Sequence, residues 1–159
     1  MMKLSEIVIE RAVVPELKGT ERDAVIGELV GALIEAEAIE SGHRNEIVDR
    51  LLAREMKSST GFGRGVAVPH AKHGSVQRIA AAVGLSKTGV EFESLDKQPV
   101  YSVFLLLSPE DRPEDHLQAM EVIFKNLSKD AFRRSLRQAG GSEEVRSLLS
   151  DSDAQHLGG

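Results

Sequence analysis

The stretch of residues 58–70 constrains the fold of this chain more than any other part of the sequence. Its glycines are Gly61, Gly63 and Gly65, and glycine adopts backbone angles that other residues resist. Pro69 restricts Val68 to extended conformations and prevents a helix from starting before His70. We therefore predict an irregular glycine loop, a short extended segment, and a histidine held by a stiff backbone at the end of a strand.

Elsewhere, some segments space their apolar residues as helices do, and others are short apolar runs of strand length. Strand-length apolar runs lie at 11–17, 79–85 and 100–107, with a hairpin turn at 94–97 between the last two. A capping-box pattern at 20–23 predicts a helix start, a second helix is predicted at 45–56, and further helices follow the 108–113 loop. The helix after that loop is predicted to place Leu117 and Phe124 on its apolar face. Helices and strands that mingle in this way favour a mixed sheet covered by helices.

Composition removes several classes of function. The chain has 159 residues, a net charge of −5, no cysteine and 4% aromatic residues. The absence of cysteine excludes disulfides and thiolate metal sites, and the acidic balance argues against nucleic-acid binding. No window approaches eighteen apolar residues, so no membrane insertion is expected. We expect one cytoplasmic domain at 1–150 and a frayed tail at 151–159.

The histidines differ in their surroundings. His70 follows the glycine loop and Pro69, and a neutral imidazole there is a good nucleophile near neutral pH. Backbone N–H groups of the glycine turn are candidates to bind phosphate oxygens. The competing interpretation is a histidine that only caps a strand end. His116 opens a helix, where a half-exposed residue without function is the ordinary case, and His43 and His156 lie in polar surroundings typical of a solvated surface.

A metal site is not predicted, although the spacing raises the question. His73 follows His70 by three residues, but no carboxylate or cysteine lies nearby in the sequence to complete a ligand set. A metal-dependent hydrolase that uses His70, His73 and His116 therefore remains only an alternative. Arg54 and Arg64 flank the glycine loop, and either is placed to meet a phosphate, although most arginines are simply solvated.

Two longer motifs resemble those of a known family. The run REMKSSTGFGRGVAVPH at 54–70 is similar to the signature of type-2 IIA domains of the phosphotransferase system. The run VFLLLSP at 103–109, followed by His116 and Leu117, resembles that family's strand, loop and histidine–leucine element. The resemblance covers nearly the whole chain and implies a three-layer α/β/α sandwich with a mixed β-sheet.

The resemblance also implies roles for single residues. His70 would be the phosphorylated nucleophile, His116 would orient its imidazole and bind a phosphate oxygen, and Arg54 would help to neutralise the phosphate. Phosphate would arrive from a phosphorylated HPr-like carrier protein and leave to a IIB domain or a regulatory target protein. No cofactor is implied, and no Walker-type phosphate-binding motif is present. Arg64, Lys72 and His73 receive no role.

Three functions remain open within these expectations. The first is a nitrogen-regulatory IIA-like phosphocarrier, and the second is the IIA component of fructose- or mannitol-type sugar uptake. A free-standing IIA protein is expected, because the chain lacks the cysteine of a IIB domain and the apolar spans of a IIC domain. The third is a regulatory binding module that keeps the fold but transfers no phosphate, with phosphorylation acting only as a switch.

Overall fold

The computed structural model describes the backbone of residues 2–158 and the side chains of residues 2–154. Its helices are α1 (Leu4–Ile7), α2 (Arg22–Glu35), α3 (Arg44–Lys57), α4 (Pro113–Leu127), α5 (Asp130–Gln138) and α6 (Ser142–Gly158), with a 3₁₀ turn at Ser41–His43 before α3. Its strands are β1 (Val8–Val14), β2 (Gly61–Gly63), β3 (Val66–Ala67), β4 (His70–His73), β5 (Ala80–Val90) and β6 (Val100–Pro109). Within the part of the chain described, none of the helices combines the length and apolar character that a membrane crossing needs.

The strands form one mixed sheet in the order β1-β5-β6-β3-β2, and β4 also pairs with β6. The β5–β6 and β2–β3 pairs are antiparallel, whereas β1–β5, β3–β6 and β4–β6 are parallel. The antiparallel β5–β6 pair confirms the predicted hairpin, whose turn is closed by a hydrogen bond from Lys97 N–H to the Ser94 carbonyl.

The two faces of the sheet are buried under different helices. Alternate residues of a strand point to opposite faces, and here Phe104 and Leu106 pack with α1, α4, α5 and α6. Their neighbours Val103 and Leu105 pack with α2 and α3 on the other side. Because β6 is apolar on both faces, it needs a layer of helices on each. The predicted three-layer α/β/α sandwich is therefore confirmed.

One edge of β6 accepts two short strands in succession. Val66 of β3 lies opposite Ser102, and four residues later His70 of β4 lies opposite Leu106. Pro69 separates the two strands because it has no N–H to donate, but its carbonyl accepts a hydrogen bond from Leu106 N–H at 2.9 Å. His70 therefore begins a strand, whereas the sequence predicted it at the end of one.

Several predicted boundaries are wrong for reasons that lie outside the local sequence. The capping box at 20–23 does not form: α2 begins at Arg22, and its N-cap residue Glu21 makes no side-chain capping bond. The Thr20 carbonyl instead accepts a hydrogen bond from Glu91 N–H, which ties this segment to the end of β5. The glycine loop contains strand β2, and its turn places Gly63, Arg64 and Gly65 at positive φ.

The predicted apolar face of α4 is only partly buried. Leu117 and Phe124 are 63% and 37% exposed, so they lie outside the buried face of α4.

Helix α6 is hydrogen-bonded to α1 through Asp153. Helix α6 continues across residue 151, where a frayed tail was expected to begin. The Asp153 carboxylate accepts hydrogen bonds from the backbone N–H of Leu4 and Ser5 and from the Ser5 hydroxyl. Since the first N–H groups of a helix have no partner within it, Asp153 caps α1 from a distance and holds α6 in place.

We predict that Asp153→Ala lowers the free energy of unfolding by about 1–2 kcal/mol, because it leaves buried N–H groups without an acceptor. Asp151→Ala is the matched control, since Asp151 lies on the same helix and is exposed. Urea denaturation of the two variants measures the difference. Equal midpoints would mean that the Asp153 cap adds nothing to stability.

Candidate functional site

His70 lies where β4 begins, half-buried, and its ring is fixed by the backbone before Pro69. Nδ1 is 2.8 Å from the Val68 carbonyl oxygen. A carbonyl oxygen only accepts hydrogen bonds, so Nδ1 must carry the proton. In the neutral ring, the lone pair is therefore on Nε2. Residues 68–70 thus fix both the orientation and the tautomer that a nucleophilic imidazole requires.

His116 approaches His70 from the first turn of α4. The two ring centroids are 5.5 Å apart, and the planes are tilted by 49°. His116 is buried, and its Nδ1 lies 2.7 Å from the Ser108 hydroxyl oxygen. Ser108 is itself fully buried near the end of β6. The strand that pairs with β4 therefore also holds the second histidine.

Both imidazoles are held in the neutral form. Burial lowers the pKa of His70, and the hydrogen bond to Val68 works against this. The charges of Arg54 and Lys72 lower the pKa further, whereas the charge of Glu55 raises it. Burial lowers the pKa of His116 to about 4, with smaller contributions from His70 and Lys72. Two neutral imidazoles side by side can supply one lone pair and one N–H donor at neutral pH.

Arg54 lies near the C-terminal end of α3 and is half-buried. Its guanidinium donates a hydrogen bond to the Ser58 carbonyl at 2.8 Å, and its charge acts on His70. The next residue, Glu55, is buried and accepts hydrogen bonds from the Thr60 N–H and hydroxyl. Because Thr60 in turn accepts from Val68 N–H, this network joins the end of α3 to the segment that carries His70.

Lys72 joins the site through the strand geometry. It lies two residues after His70 on β4, so both side chains are on the same face. Lys72 is opposite Ser108 in the register, and its charge lowers the pKa of both histidines. No role for Lys72 was predicted from the sequence, because its position relative to His116 depends on the pairing of β4 with β6.

His73 takes no part in this site. It lies three residues after His70, so its ring projects from the opposite face of β4, where Nε2 is 2.9 Å from a carboxylate oxygen of Glu46 on α3. The alternative of a hydrolytic metal centre made of His70, His73 and His116 is therefore wrong for the residues that the structure describes.

The glycine turn is also remote from His70. Gly65 is next to Tyr101 at the start of β6, whereas His70 lies opposite Leu106. The N–H of Arg64 already bonds the Asp96 carboxylate at 3.3 Å. The Arg64 N–H is therefore already occupied, and Arg64 remains without a role. That other nearby backbone N–H groups bind a phosphate on His70 stays a prediction. The turn's glycines serve the tight β2–β3 connection.

The three-layer α/β/α sandwich with a mixed sheet is the fold of solved IIA domains of the phosphotransferase system. The model of the family described as "Phosphoenolpyruvate-dependent sugar phosphotransferase system, EIIA 2" matches residues 6–152. The chain belongs to this family, as the sequence motifs indicated.

Its relatives include both sugar-uptake and regulatory proteins. The chain is 34% identical over 152 residues to the "PTS system fructose-specific EIIABC component" of Bacillus subtilis, covering 96% of this chain but only 24% of that protein. It is 33% identical over 150 residues to the "Nitrogen regulatory protein" of Bradyrhizobium diazoefficiens, covering 93% and 95% of the two. The solved structure of "Nitrogen Regulatory Protein IIA-Ntr from Neisseria meningitidis" superposes with a TM-score of 0.82 at 31% identity, over 92% of this chain and 98% of that one.

We predict that Lys72→Met raises the pKa of both His70 and His116, because it removes a positive charge that disfavours the imidazolium form. NMR titration of the imidazole C–H signals measures both values, and the unmodified protein should show His116 titrating at about pH 4. Lys87→Met is the matched control, since Lys87 is an exposed lysine on β5. An equal effect of both substitutions would show that Lys72 has no special proximity to the site.

Proposed function

We propose that this protein accepts a phosphoryl group on Nε2 of His70 from a phosphorylated HPr-like carrier protein, and then passes it on or signals by it. The observation that carries the proposal is the hydrogen bond from His70 Nδ1 to the Val68 carbonyl. It leaves Nε2 with a lone pair on a ring whose pKa burial lowers. A neutral, oriented imidazole is the nucleophile that phosphoryl transfer between histidines needs.

The transfer step follows from this geometry. The Nε2 lone pair attacks the phosphorus atom of the donor's phosphohistidine, in line with the bond that breaks. A new P–N bond forms on His70, and the electron pair of the old P–N bond returns to the donor imidazole. His70 keeps its Nδ1 proton, so its phosphorylated ring carries positive charge, and the Val68 carbonyl dipole stabilises that charge through the same hydrogen bond.

In this proposal, the phosphate is supported by His116, Arg54 and Lys72. The Ser108 hydroxyl can donate to His116 Nδ1, and the opposite ring nitrogen then carries a proton that can be donated to a phosphate oxygen. Arg54 and Lys72 supply positive charge, as their effects on the His70 pKa indicate. Phosphoryl transfer depends mainly on such charge stabilisation and positioning.

The exposed surface along α4, the helix that carries His116, has a character suited to protein partners. Leu117 follows His116 and is 63% exposed. The rings of Phe62 and Phe124 are also exposed, and their centroids are 5.0 Å apart. Exposed apolar groups beside a polar centre are typical of transient protein interfaces. We propose that a phosphorylated carrier, and afterwards a IIB domain or a regulatory target protein, docks here.

A nitrogen-regulatory role is our preferred assignment within this function. It is supported by the nitrogen regulatory relatives whose length this chain nearly spans. Uptake of fructose-type sugars is the second candidate, supported by the 34% identity to a domain of the fructose-specific protein. In either case, phosphate on His70 adds negative charge to the docking surface, so partner binding should depend on phosphorylation.

We predict that incubation with a phosphorylated HPr-like carrier adds one phosphate to this protein and that His70→Ala abolishes the addition. The adduct should be acid-labile and base-stable, because a P–N bond is formed. Intact-protein mass spectrometry at alkaline pH measures the stoichiometry. Full labelling of the His70→Ala protein would move the acceptor elsewhere, and a wild-type chain that binds carriers but never becomes labelled would favour the non-catalytic binding module.

We predict that His116→Ala and Arg54→Ala each slow transfer about ten- to a hundred-fold, because a charged hydrogen bond contributes roughly 1.5–3 kcal/mol. Rapid-quench measurement of phosphate transfer gives the rates. Arg64→Ala is the matched control, since Arg64 is an exposed arginine that flanks the same loop, and its charge is not among those that shift the pKa of His70 or His116. Wild-type rates in both test variants, or an equal loss in Arg64→Ala, would contradict the assigned neighbours of His70.

The rate of phosphate transfer to IIB domains distinguishes the regulatory role from the sugar-uptake role. The phosphorylated protein is mixed with fructose- and mannitol-type IIB domains from the same cell, and loss of label is followed with time. The regulatory assignment predicts slow or negligible transfer and phosphorylation-dependent binding to another partner. Rapid and complete transfer to one IIB domain would instead assign the protein to sugar uptake.

A further inference from the structure

A second group of histidines lies on the opposite face of the sheet from His70. His43 ends the 3₁₀ turn before α3, Glu46 is in the first turn of α3, and His73 ends β4. His73 Nε2 is 2.9 Å and His43 Nδ1 is 3.5 Å from the same carboxylate oxygen of Glu46. The two imidazole centroids are 5.5 Å apart. One nitrogen from each ring therefore faces the same carboxylate oxygen of Glu46.

The remaining nitrogen of each ring faces a polar group that could accept its N–H once a metal is bound. His43 Nε2 faces a carboxylate oxygen of Glu40 at 3.8 Å, and His73 Nδ1 faces the Ser75 hydroxyl at 2.7 Å. Histidines that bind metals almost always donate their other N–H to such groups, which fixes the tautomer and the ring orientation. The cluster thus has an outer set of partners as well as three inward-facing atoms.

We propose that His43, Glu46 and His73 bind a divalent transition-metal ion of the Zn²⁺ type. The ligands would be His43 Nδ1, a Glu46 carboxylate oxygen and His73 Nε2. Two imidazoles and a carboxylate are a donor set that Zn²⁺ accepts, with an open position left for solvent or a further oxygen ligand. This proposal stands independently of the phosphocarrier function.

The geometry needs only a small adjustment to receive the ion. The three ligand atoms all lie within 4.8 Å of one another, whereas ligands about 2.0 Å from a tetrahedral zinc ion are separated by about 3.3 Å. The Glu46 and His43 side chains are 68% and 40% exposed, so both can move inward at low cost. The buried His73 supplies the fixed point, and the exposed side of the cluster supplies the entry path.

The binding step requires one proton to move. The Ser75 N–H lies 3.0 Å from His73 Nδ1, so in the metal-free protein Nδ1 accepts and Nε2–H donates to Glu46. On metal binding, the Nε2 proton is lost to solvent and Nδ1 takes up a proton. Nδ1–H then donates a hydrogen bond to the Ser75 hydroxyl, and the Ser75 N–H gives up its hydrogen bond to Nδ1. The Nε2 lone pair then binds the ion. The bound ion would join α3 to β4, the two elements that carry Arg54 and His70.

Metal binding is tested on the full chain prepared without a polyhistidine tag. We expect one Zn²⁺ ion per chain by calorimetry, and Co²⁺ to perturb the amide NMR signals of residues 42–46 and 73–75. Glu46→Gln and His43→Ala should each weaken binding at least about tenfold. Both residues are exposed or half-exposed, so the variants should fold, and circular dichroism checks this.

Two further variants locate the ion. His116→Ala removes one of the paired imidazoles of the other site, and His156→Ala removes the histidine whose side chain lies outside the described residues. Neither should weaken Zn²⁺ binding. The proposal is overturned if the full chain binds no Zn²⁺, if binding survives unchanged in Glu46→Gln and His43→Ala, or if it disappears in His116→Ala or His156→Ala.

Discussion

The pairing of one edge of β6 with both β3 and β4 determines where the two site histidines meet. Strand β6 is buried on both faces, so its register is fixed by the core on either side. His70 lies opposite Leu106, and Ser108, two residues further along, holds His116. A shift of β4 by one residue would turn His70 to the face covered by α3. His70 and His116 would then lie on opposite sides of the sheet.

The fold could be predicted where the cause is local or a long apolar run is present. The runs at 79–85 and 100–107 became β5 and β6, and the helix predicted at 45–56 became α3. The failures involve partners distant in sequence. The start of α2 is set by the bond from Glu91 to Thr20 rather than by a capping side chain. Leu117 satisfies the helical period, but the side of α4 on which it lies is not covered by the sheet.

The site was only partly accessible to the same reasoning. Local sequence indicates that His70 is special, because Pro69 restricts the backbone before it. The approach of His116 was implied by family resemblance, since no spacing rule joins a strand to a helix that follows a distant loop. Lys72 and Ser108 could not be predicted without the β4–β6 register. If residues 70–73 had been recognised as a strand, His70 and His73 would have been predicted on opposite faces of it, because an odd spacing along a strand reverses the side-chain direction.

The charges around His70 are compatible with its proposed role as a group that receives and releases phosphate. Burial lowers the pKa of His70, and the positive charges of Arg54 and Lys72 add to this effect. The same charges would favour an arriving phosphate dianion. Lys72 is exposed and Arg54 half-buried, so solvent screens their attraction. The buried neighbour, His116, is neutral and contributes a dipole rather than a full charge. A buried cation in its place would hold a phosphate more tightly and slow its departure, whereas a neutral neighbour would keep the proposed transfer closer to reversible.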